Sequence, residues 1–463
     1  MAPGFIGRSF EMKALNREYS KKSSLVLITG RRGVGKTRLI TEFIADKDAL
    51  YFYASEHTEP MLLSRFSEAV SRYAGREGAR FDGWKRAFSA FCDSREGKKV
   101  LVIDEFQNMF RSSRSFLSRL QGIWDGSLSS ENVMLILCGS DVSGMDSVDK
   151  RHDSPMCGRF DKRIELRPLS FEEARRGRGY ADAVEEYSVH GGVPGRMARF
   201  DRATLRENVE ANVMDPGSIL FDASVSLLRG EVREPAAYMS ILGAMAGGRD
   251  RISSISSAAG IPATTVTPYL KRLADMRLVN REVPVTERLP EKSKTGSYEI
   301  IDAFSLFWLR FASPHLSELS LGDAGGAMAR FDERFAEDHV QPAFESICRD
   351  LAGRMGERIG FAPERVGRYW NRDMEIGVVA LNMEERKAFV AECAYHRDRP
   401  VGRRALDDLR RKAASVGELD GYDVRFGLFS VSGFDDSLSG DGSVVLVDKG
   451  EVLERGLAAP RPP

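Results

Sequence analysis

The feature that most constrains this chain is a short apolar run, Leu25 to Thr29, that passes directly into Gly30-Arg31-Arg32-Gly33-Val34-Gly35-Lys36-Thr37. The run LVLIT is rich in β-branched residues and predicts a buried strand. The residues after it, TRLITEFIADK, read as a helix. Between the two lies G-x-x-x-x-G-K-T, a phosphate-binding loop in its strand–loop–helix setting. Glycines there let backbone N–H groups turn inward around phosphate oxygens. The helix that follows points its positive end at the anion. Lys36 is expected to reach the β- and γ-phosphates, and Thr37 to ligate Mg²⁺. The candidate nucleotide-binding set is Gly30, Gly33, Val34, Gly35, Lys36, Thr37 and Arg38, with ATP and Mg²⁺ as the expected ligands.

A second apolar strand, Lys99 to Ile103, ends in Asp104-Glu105. An acidic pair at a strand end downstream of such a loop is the Walker B pattern. Asp104 is expected to hold Mg²⁺ through water, and Glu105 to act as the base that orients the attacking water. A third strand, Val133 to Cys138, ends in Gly139-Ser140. In P-loop ATPases with a glutamate after that aspartate, such a strand lies between the other two. Ser140 then fits a sensor near the γ-phosphate.

At 463 residues the chain exceeds one ordinary domain and predicts two to four. Lys plus Arg and Asp plus Glu each number 68, so the formal charge is zero. That excludes a highly basic chromatin-type protein but leaves room for a local basic face. The longest apolar runs fall far short of the ~20 residues that span a bilayer. The start, MAPGFIGRSF, has no signal-peptide pattern, so a soluble cytoplasmic protein with no membrane partner is expected. Five scattered cysteines (92, 138, 157, 348 and 393) form no CxxC pair and predict buried thiols rather than disulfides or zinc.

From Pro235 the pattern changes. Ala236 to Met245, Ile252 to Ala259 and Thr264 to Met276 read as three helices, with Pro268 a possible kink in the third. LVNREVPVTE and SYEIID then read as two strands around a polar loop, the winged-helix order. The third helix offers Thr265, Lys271 and Arg272 to a DNA groove, beside Thr264 and Thr267, and the wing offers Arg288, Lys292 and Lys294. Residues 249–299 carry nine basic and six acidic side chains. The small excess suits protein docking as well as DNA. The aromatic run Phe304 to Phe311 reads as core.

In this order, Phe5-Ile6-Gly7-Arg8, GRRGVGKT, LVIDEFQNM, LCGSDVS, Cys157-Gly158-Arg159, IELRPLSFEEA and HGGVPGRM resemble the archaeal-type AAA+/STAND-like ATPases. That family carries a winged helix and a C-terminal nuclease-like domain of unknown function. The resemblance covers nearly the whole chain and is most specific from residue 5 to about 200. It implies that Gly7 and Arg8 lie beside the adenine and that Pro194, in Gly191-Gly192-Val193-Pro194, lies near the base and ribose. Arg159, with Arg163 as competitor, is implied as an arginine that stabilises the γ-phosphate, in trans if the chain assembles with itself.

The implied fold class is α/β. A P-loop parallel sheet (1–168) with a helical lid (169–232) is followed by a winged helix-turn-helix (233–312) and a restriction-endonuclease-like α/β domain (328–457). Gly322 to Gly326 reads as a linker, Arg334 to Leu351 as a helix, and Leu406 to Ala414 as a charged helix. Strands are expected at Met374 to Leu381, Ala388 to Ala394, Val424 to Val431 and Val444 to Val447. The family's nuclease pattern would read E-I-D-x-V-A and then E-C-K. Here Gly377 stands for the metal-binding aspartate and Ala394 for the lysine, leaving Glu345 and Glu392. Glu375 shares the face of position 377 but lies about 7 Å away along a strand. A pseudonuclease is expected, with Arg397, Arg399, Arg403, Arg404, Arg410, Arg411 and Lys412 as a candidate basic patch. The expected activity is ATP hydrolysis coupled to DNA or a DNA-associated protein. Two alternatives are a non-hydrolysing ATP-dependent switch that docks to another protein and an ATP-gated nuclease, against which Gly377 and Ala394 speak.

Overall fold

The computed structural model describes residues 5–448 apart from Glu77, Ala79, Arg176, Arg178 and Lys294. Lys294 and the end of the expected C-terminal domain therefore lie outside the described residues. The chain forms two compact units. The first runs to Leu169 and regains Val193–Ala198; the second comprises Ser170–Gly192 and everything from Arg199 onward. The lid expected over residues 169–232 is thus divided between the two.

The first unit is built on five strands: β1 (Ser24–Thr29), β2 (Ala49–Tyr53), β3 (Lys99–Asp104), β4 (Val133–Gly139) and β5 (Lys162–Glu165). They lie in the order β2-β3-β4-β1-β5, every neighbouring pair parallel. Side chains alternate across the sheet. Leu25, Leu27, Leu101, Ile103, Leu135 and Leu137 share one core with the helices Glu59–Tyr73, Trp84–Cys92 and Phe116–Gly126. Val26, Ile28, Val100, Val102, Met134 and Ile136 share the other with Ser9–Tyr19 and Lys36–Ile44. Coverage on both faces is why β1, β3 and β4 read as unbroken apolar runs. β4 lies between β1 and β3, as expected. The carboxyl ends of the three motif-bearing strands therefore stand side by side.

In the second unit, helices Pro235–Ala246, Ile252–Ala259 and Ala263–Asp275 precede an antiparallel hairpin of β6 (Val279–Glu282) and β7 (Ser297–Ile300). The third helix runs through Pro268. The strand expected over residues 278–287 stops at Glu282. Pro284 has no N–H to give a ladder, and Val285 N–H instead donates to Arg368 O at 2.9 Å. Phe304, Phe307, Trp308 and Phe311 are buried, as core residues should be.

The helix expected to begin at Arg334 begins at Gly325, so Gly325 and Gly326 belong to it and not to a linker. It continues through a π-helical turn, Ala336–Val340, into Gln341–Ala352. Ala327, Met328, Phe331 and Phe335 form its buried stripe. That burial outweighs the roughly 1 kcal/mol a helical glycine costs.

A mixed sheet closes the chain: β8 (Arg365–Trp370), β9 (Glu375–Asn382), β10 (Lys387–Ala394), β11 (Asp423–Ser430) and β12 (Val444–Val447), in the order β12-β11-β10-β9-β8. β8, β9 and β10 are antiparallel; β10, β11 and β12 are parallel, with the helix Arg403–Ala414 between β10 and β11.

Candidate functional site

The loop after β1 adopts backbone that only glycine tolerates well. Gly30, Gly33 and Gly35 have φ of 150°, 85° and 96°. A Cβ on Gly30 would stand 2.5 Å from Leu166 O. Gly195 N–H donates to Gly33 O at 3.2 Å, and a Cβ on Gly35 would meet the Pro194 ring at 3.7 Å. Pro194 thus lies against the loop itself. Val34 is buried in the core, and Arg38 pairs with Glu42 at 3.3 Å.

Arg8 supports the loop through its backbone. It is 3% exposed, has φ 65°, and follows Gly7 at φ 66°. Its guanidinium donates to Val34 O at 2.8 Å and Arg167 O at 2.7 Å, and pairs with Glu11 at 3.0 Å.

Lys36 Nζ donates to Gly30 O at 2.6 Å and Arg31 O at 3.1 Å. Burial pulls its pKa below the ordinary lysine value, while Cys138, Glu105 and Asp104 oppose that shift. An ammonium held inside its own loop, at a helix N-terminus flanked by left-handed glycines, suits a polyphosphate. Thr37 Oγ1 donates to Asp104 Oδ2 at 3.1 Å. A hydroxyl and a carboxylate in contact are the hard oxygen ligands that Mg²⁺ prefers. The residues present therefore fit Mg²⁺ with a nucleotide.

Asp104 is 2% exposed. Its Oδ2 also accepts from Tyr51 OH at 2.5 Å, and its Oδ1 from Glu105 N–H at 2.9 Å. Burial, then the bond to Asp104, raises the Tyr51 phenol far above its ordinary value. Glu105 sits in the left-handed region at φ 52°, uncommon for a residue with a side chain. Its Oε2 accepts from Ser140 Oγ at 2.6 Å and from Gln107 Nε2, which also donates to Ser140 at 3.2 Å. Gln107 is 4% exposed, and its Oε1 has no partner among the described residues. The sheet thus brings Lys36, Thr37, Asp104, Glu105 and Ser140 together.

Two residues here carry no motif signal strong enough to mark them from sequence. Tyr51 stands on β2, a strand outside every motif. Gln107 lies within LVIDEFQNM, two positions after the acidic pair, but nothing in that motif by itself ties its side chain to Glu105.

The two arginine candidates are engaged elsewhere. Arg159 donates to Asp125 at 2.8 and 3.0 Å and to Pro155 O at 2.8 Å. Arg163 pairs with Asp146 and, at 3.3 Å, with Asp149. None of these bonds reaches the Asp104–Glu105 group.

On the helix Ala263–Asp275, Lys271 is exposed and Thr265 half-buried. Arg272 turns to Glu231, donating to its carbonyl at 3.3 Å. Lys292 is exposed in the hairpin turn. The hairpin's flank is held by β8: Arg368 pairs with Glu282 and Glu299 at 2.5 and 3.7 Å and with Glu375 at 3.0 Å, while Arg365 donates to Glu287 O at 2.7 Å.

In the C-terminal sheet, a Cβ on Gly377 would stand 3.3 Å from the Glu345 carboxylate. Glu345 accepts from Gln341 at 2.8 Å, and burial raises its pKa. Glu392 pairs with Lys412 at 2.8 Å. Ala394 packs beside the core of this domain. No group of three or more metal-ligating side chains occurs among the described residues. Much of the candidate basic patch is spoken for: Arg397 by Asp182 and Glu185, Arg403 by Asp441, and Arg411 by Asp408. All five cysteines are free, and no described helix is long and apolar enough to cross a membrane.

Residues 5–196 match the family model of an ATPase domain predominantly from Archaea, and residues 308–406 match that of archaeal and bacterial proteins of unknown function. An uncharacterized protein of Methanocaldococcus jannaschii is 29% identical over 436 residues, covering 92% of this chain and 95% of its own length. Among solved structures, the Walker-type ATPase of Pyrococcus abyssi is similar in fold at 20% identity and a TM-score of 0.51, covering 66% of this chain and 96% of that one. The ORC2 protein of Aeropyrum pernix aligns at 15% identity and a TM-score of 0.47, over 69% of this chain and 96% of that one. Residues 5–196 thus carry a P-loop ATPase domain of the archaeal type, and residues 308–406 a domain of the archaeal and bacterial family of unknown function.

Proposed function

We propose that this chain binds Mg²⁺·ATP and hydrolyses it, with Glu105 as the base, and that turnover is coupled to DNA or a DNA-associated protein. The observation that carries this reading is the state of the Glu105 carboxylate. Both of its side-chain donors, Ser140 and Gln107, bind Oε2, and no bond among the described residues falls on Oε1. One oxygen is anchored and the other is left to accept a proton from water. Lys36 and the loop backbone bind the phosphates, and Thr37 and Asp104 hold Mg²⁺. The cation, when bound, neutralises charge that develops on the transferred phosphoryl group.

Coupling has a covalent basis in this reading. Val193–Ala198, which touches the loop glycines, is flanked on both sides by segments of the second unit. Three helices and a hairpin there have the winged-helix order, with Thr264, Thr267 and Lys271 exposed on the third helix. The C-terminal domain serves as a docking module with a lapsed nuclease site. A cytoplasmic location belongs to the same reading.

A second reading, an ATP-dependent switch with negligible turnover, is favoured by one observation. Arg159 and Arg163 are both held by carboxylates of their own chain. Under the first reading, assembly with another copy frees Arg159 to act in trans. The test is ATP turnover with and without duplex DNA, beside Glu105→Gln. Turnover that rises with DNA and is lost in the variant is expected. Tight ATP binding with negligible turnover and no DNA response selects the switch.

A further inference from the structure

We propose that Tyr51 is a positioning residue that sets how tightly the site holds its divalent cation, by fixing the carboxylate of Asp104. The inference rests on the nucleotide-binding reading above.

The register of β2 on β3 pairs Tyr51 with Val102 and Tyr53 with Asp104. Residues two apart on a strand share a face, so Tyr51 stands on the Asp104 side of the sheet. Its ring packs against the cluster that holds Leu39, Ile40, Phe43 and Val102. The hydroxyl is thereby delivered to Asp104 Oδ2 at 2.5 Å.

A carboxylate as enclosed as Asp104 needs donors. Among the described residues, the oxygen and nitrogen donors are Thr37 Oγ1 and Tyr51 OH on Oδ2 and Glu105 N–H on Oδ1. The Thr37 oxygen is the one this loop commits to the cation. Once it turns to the ion, Tyr51 is the side-chain donor that remains on Oδ2. Sheet register and ring packing both fix that hydroxyl, so the carboxylate keeps one orientation and presents its remaining lone pairs to the ion's water. Partners of metal ligands that act this way typically cost about 10–100-fold in metal affinity or activity when removed. Asp104 acts through water in this reading, so the lower end applies.

Tyr51→Phe keeps the ring and deletes only the hydroxyl. The experiment measures binding of a fluorescent ATP analogue to the full chain as MgCl₂ is titrated, and again in EDTA, with thermal melting as a check on folding. The Mg²⁺ concentration for half-maximal enhancement of binding is expected to rise about tenfold in Tyr51→Phe. Affinity in EDTA should stay at the wild-type value, and the melting temperature should fall by no more than the several degrees expected for one lost bond to a buried carboxylate. Tyr51→Leu, which also removes the ring, should weaken binding in EDTA as well, separating packing from the hydroxyl. Superimposable Mg²⁺ curves for Tyr51→Phe and wild type would overturn the proposal. So would an equal loss with and without Mg²⁺. A wild-type chain that binds no nucleotide in either condition would instead overturn the nucleotide-binding reading.

Discussion

Gln107→Met separates function from stability at one buried position. Gln107 fits beneath the end of β4: a Cβ on Gly139 would lie 2.6 Å from Gln107 Oε1. That oxygen has no partner among the described residues, and the Nε2 of the same amide is spent on Glu105 and Ser140. Turning the amide over would set its oxygen against the Glu105 carboxylate, so the charge on Glu105 fixes the orientation. A buried unsatisfied carbonyl costs about 1–3 kcal/mol, and a hydrogen bond to a charged group contributes about 1.5–3 kcal/mol. Methionine has a similar volume and removes both terms. The two nearly cancel, and the net change in stability should stay within about 1 kcal/mol, or about 2–4 °C in melting temperature for a unit of this size. Turnover has no such compensation. Losing one of two anchors on Glu105, the base in the proposed reading, should lower kcat by about 10–100-fold, since each 1.36 kcal/mol is about tenfold in rate. Steady-state ATPase kinetics and a thermal melt on the same preparation test both halves, with KM for ATP near wild type. Unchanged kcat would refute the reasoning. A melting temperature lowered by about 10 °C or more would refute it too, because the orphan carbonyl would then not be carrying the cost assigned to it.

Lys36→Ala should abolish nucleotide binding, read by loss of the fluorescent-analogue signal at micromolar protein, because the ammonium now seated on Gly30 O is the group expected on the phosphates. Glu299 gives a pH prediction. Burial, then repulsion from Glu282, lifts its pKa from 4.5 to about 7, with Arg368 and Arg349 opposing. A carboxyl whose folded pKa is raised contributes stability that is present at low pH and lost as pH climbs from about 4.5 through about 7. Glu299→Gln should flatten the fall in melting temperature between pH 5 and pH 8; an unchanged slope would show that another group sets it.

How much of this was legible before folding depends on whether a residue's role is local. Gly30 to Thr37 needs only its own strand, turn and helix to make a phosphate loop, because the left-handed glycines and the helix N-terminus are consecutive. Asp104-Glu105 and Gly139-Ser140 are legible for a similar reason, since each sits where an apolar run stops. The three helices between Pro235 and Asp275 likewise follow from spacing. The strand expected over residues 278–287 and the start of the helix expected at Arg334 differ where a distant partner decided the outcome. Val285 takes Arg368 rather than its own hairpin, and the stripe from Ala327 to Phe335 carries two glycines into a helix.

Sequence alone therefore determined the nucleotide-loop motif, the acidic strand end and the layered α/β class, all written in residues close along the chain. Only the tertiary structure decided that Tyr51 and Gln107 donate to Asp104 and Glu105, that Arg8 donates to Val34 O in the loop, and that Arg159 pairs with Asp125. Apart from Gln107 and Glu105, which are two positions apart, those pairings join residues 26 to 53 positions apart. Their partners are set by sheet order, strand register and burial, which no local pattern encodes.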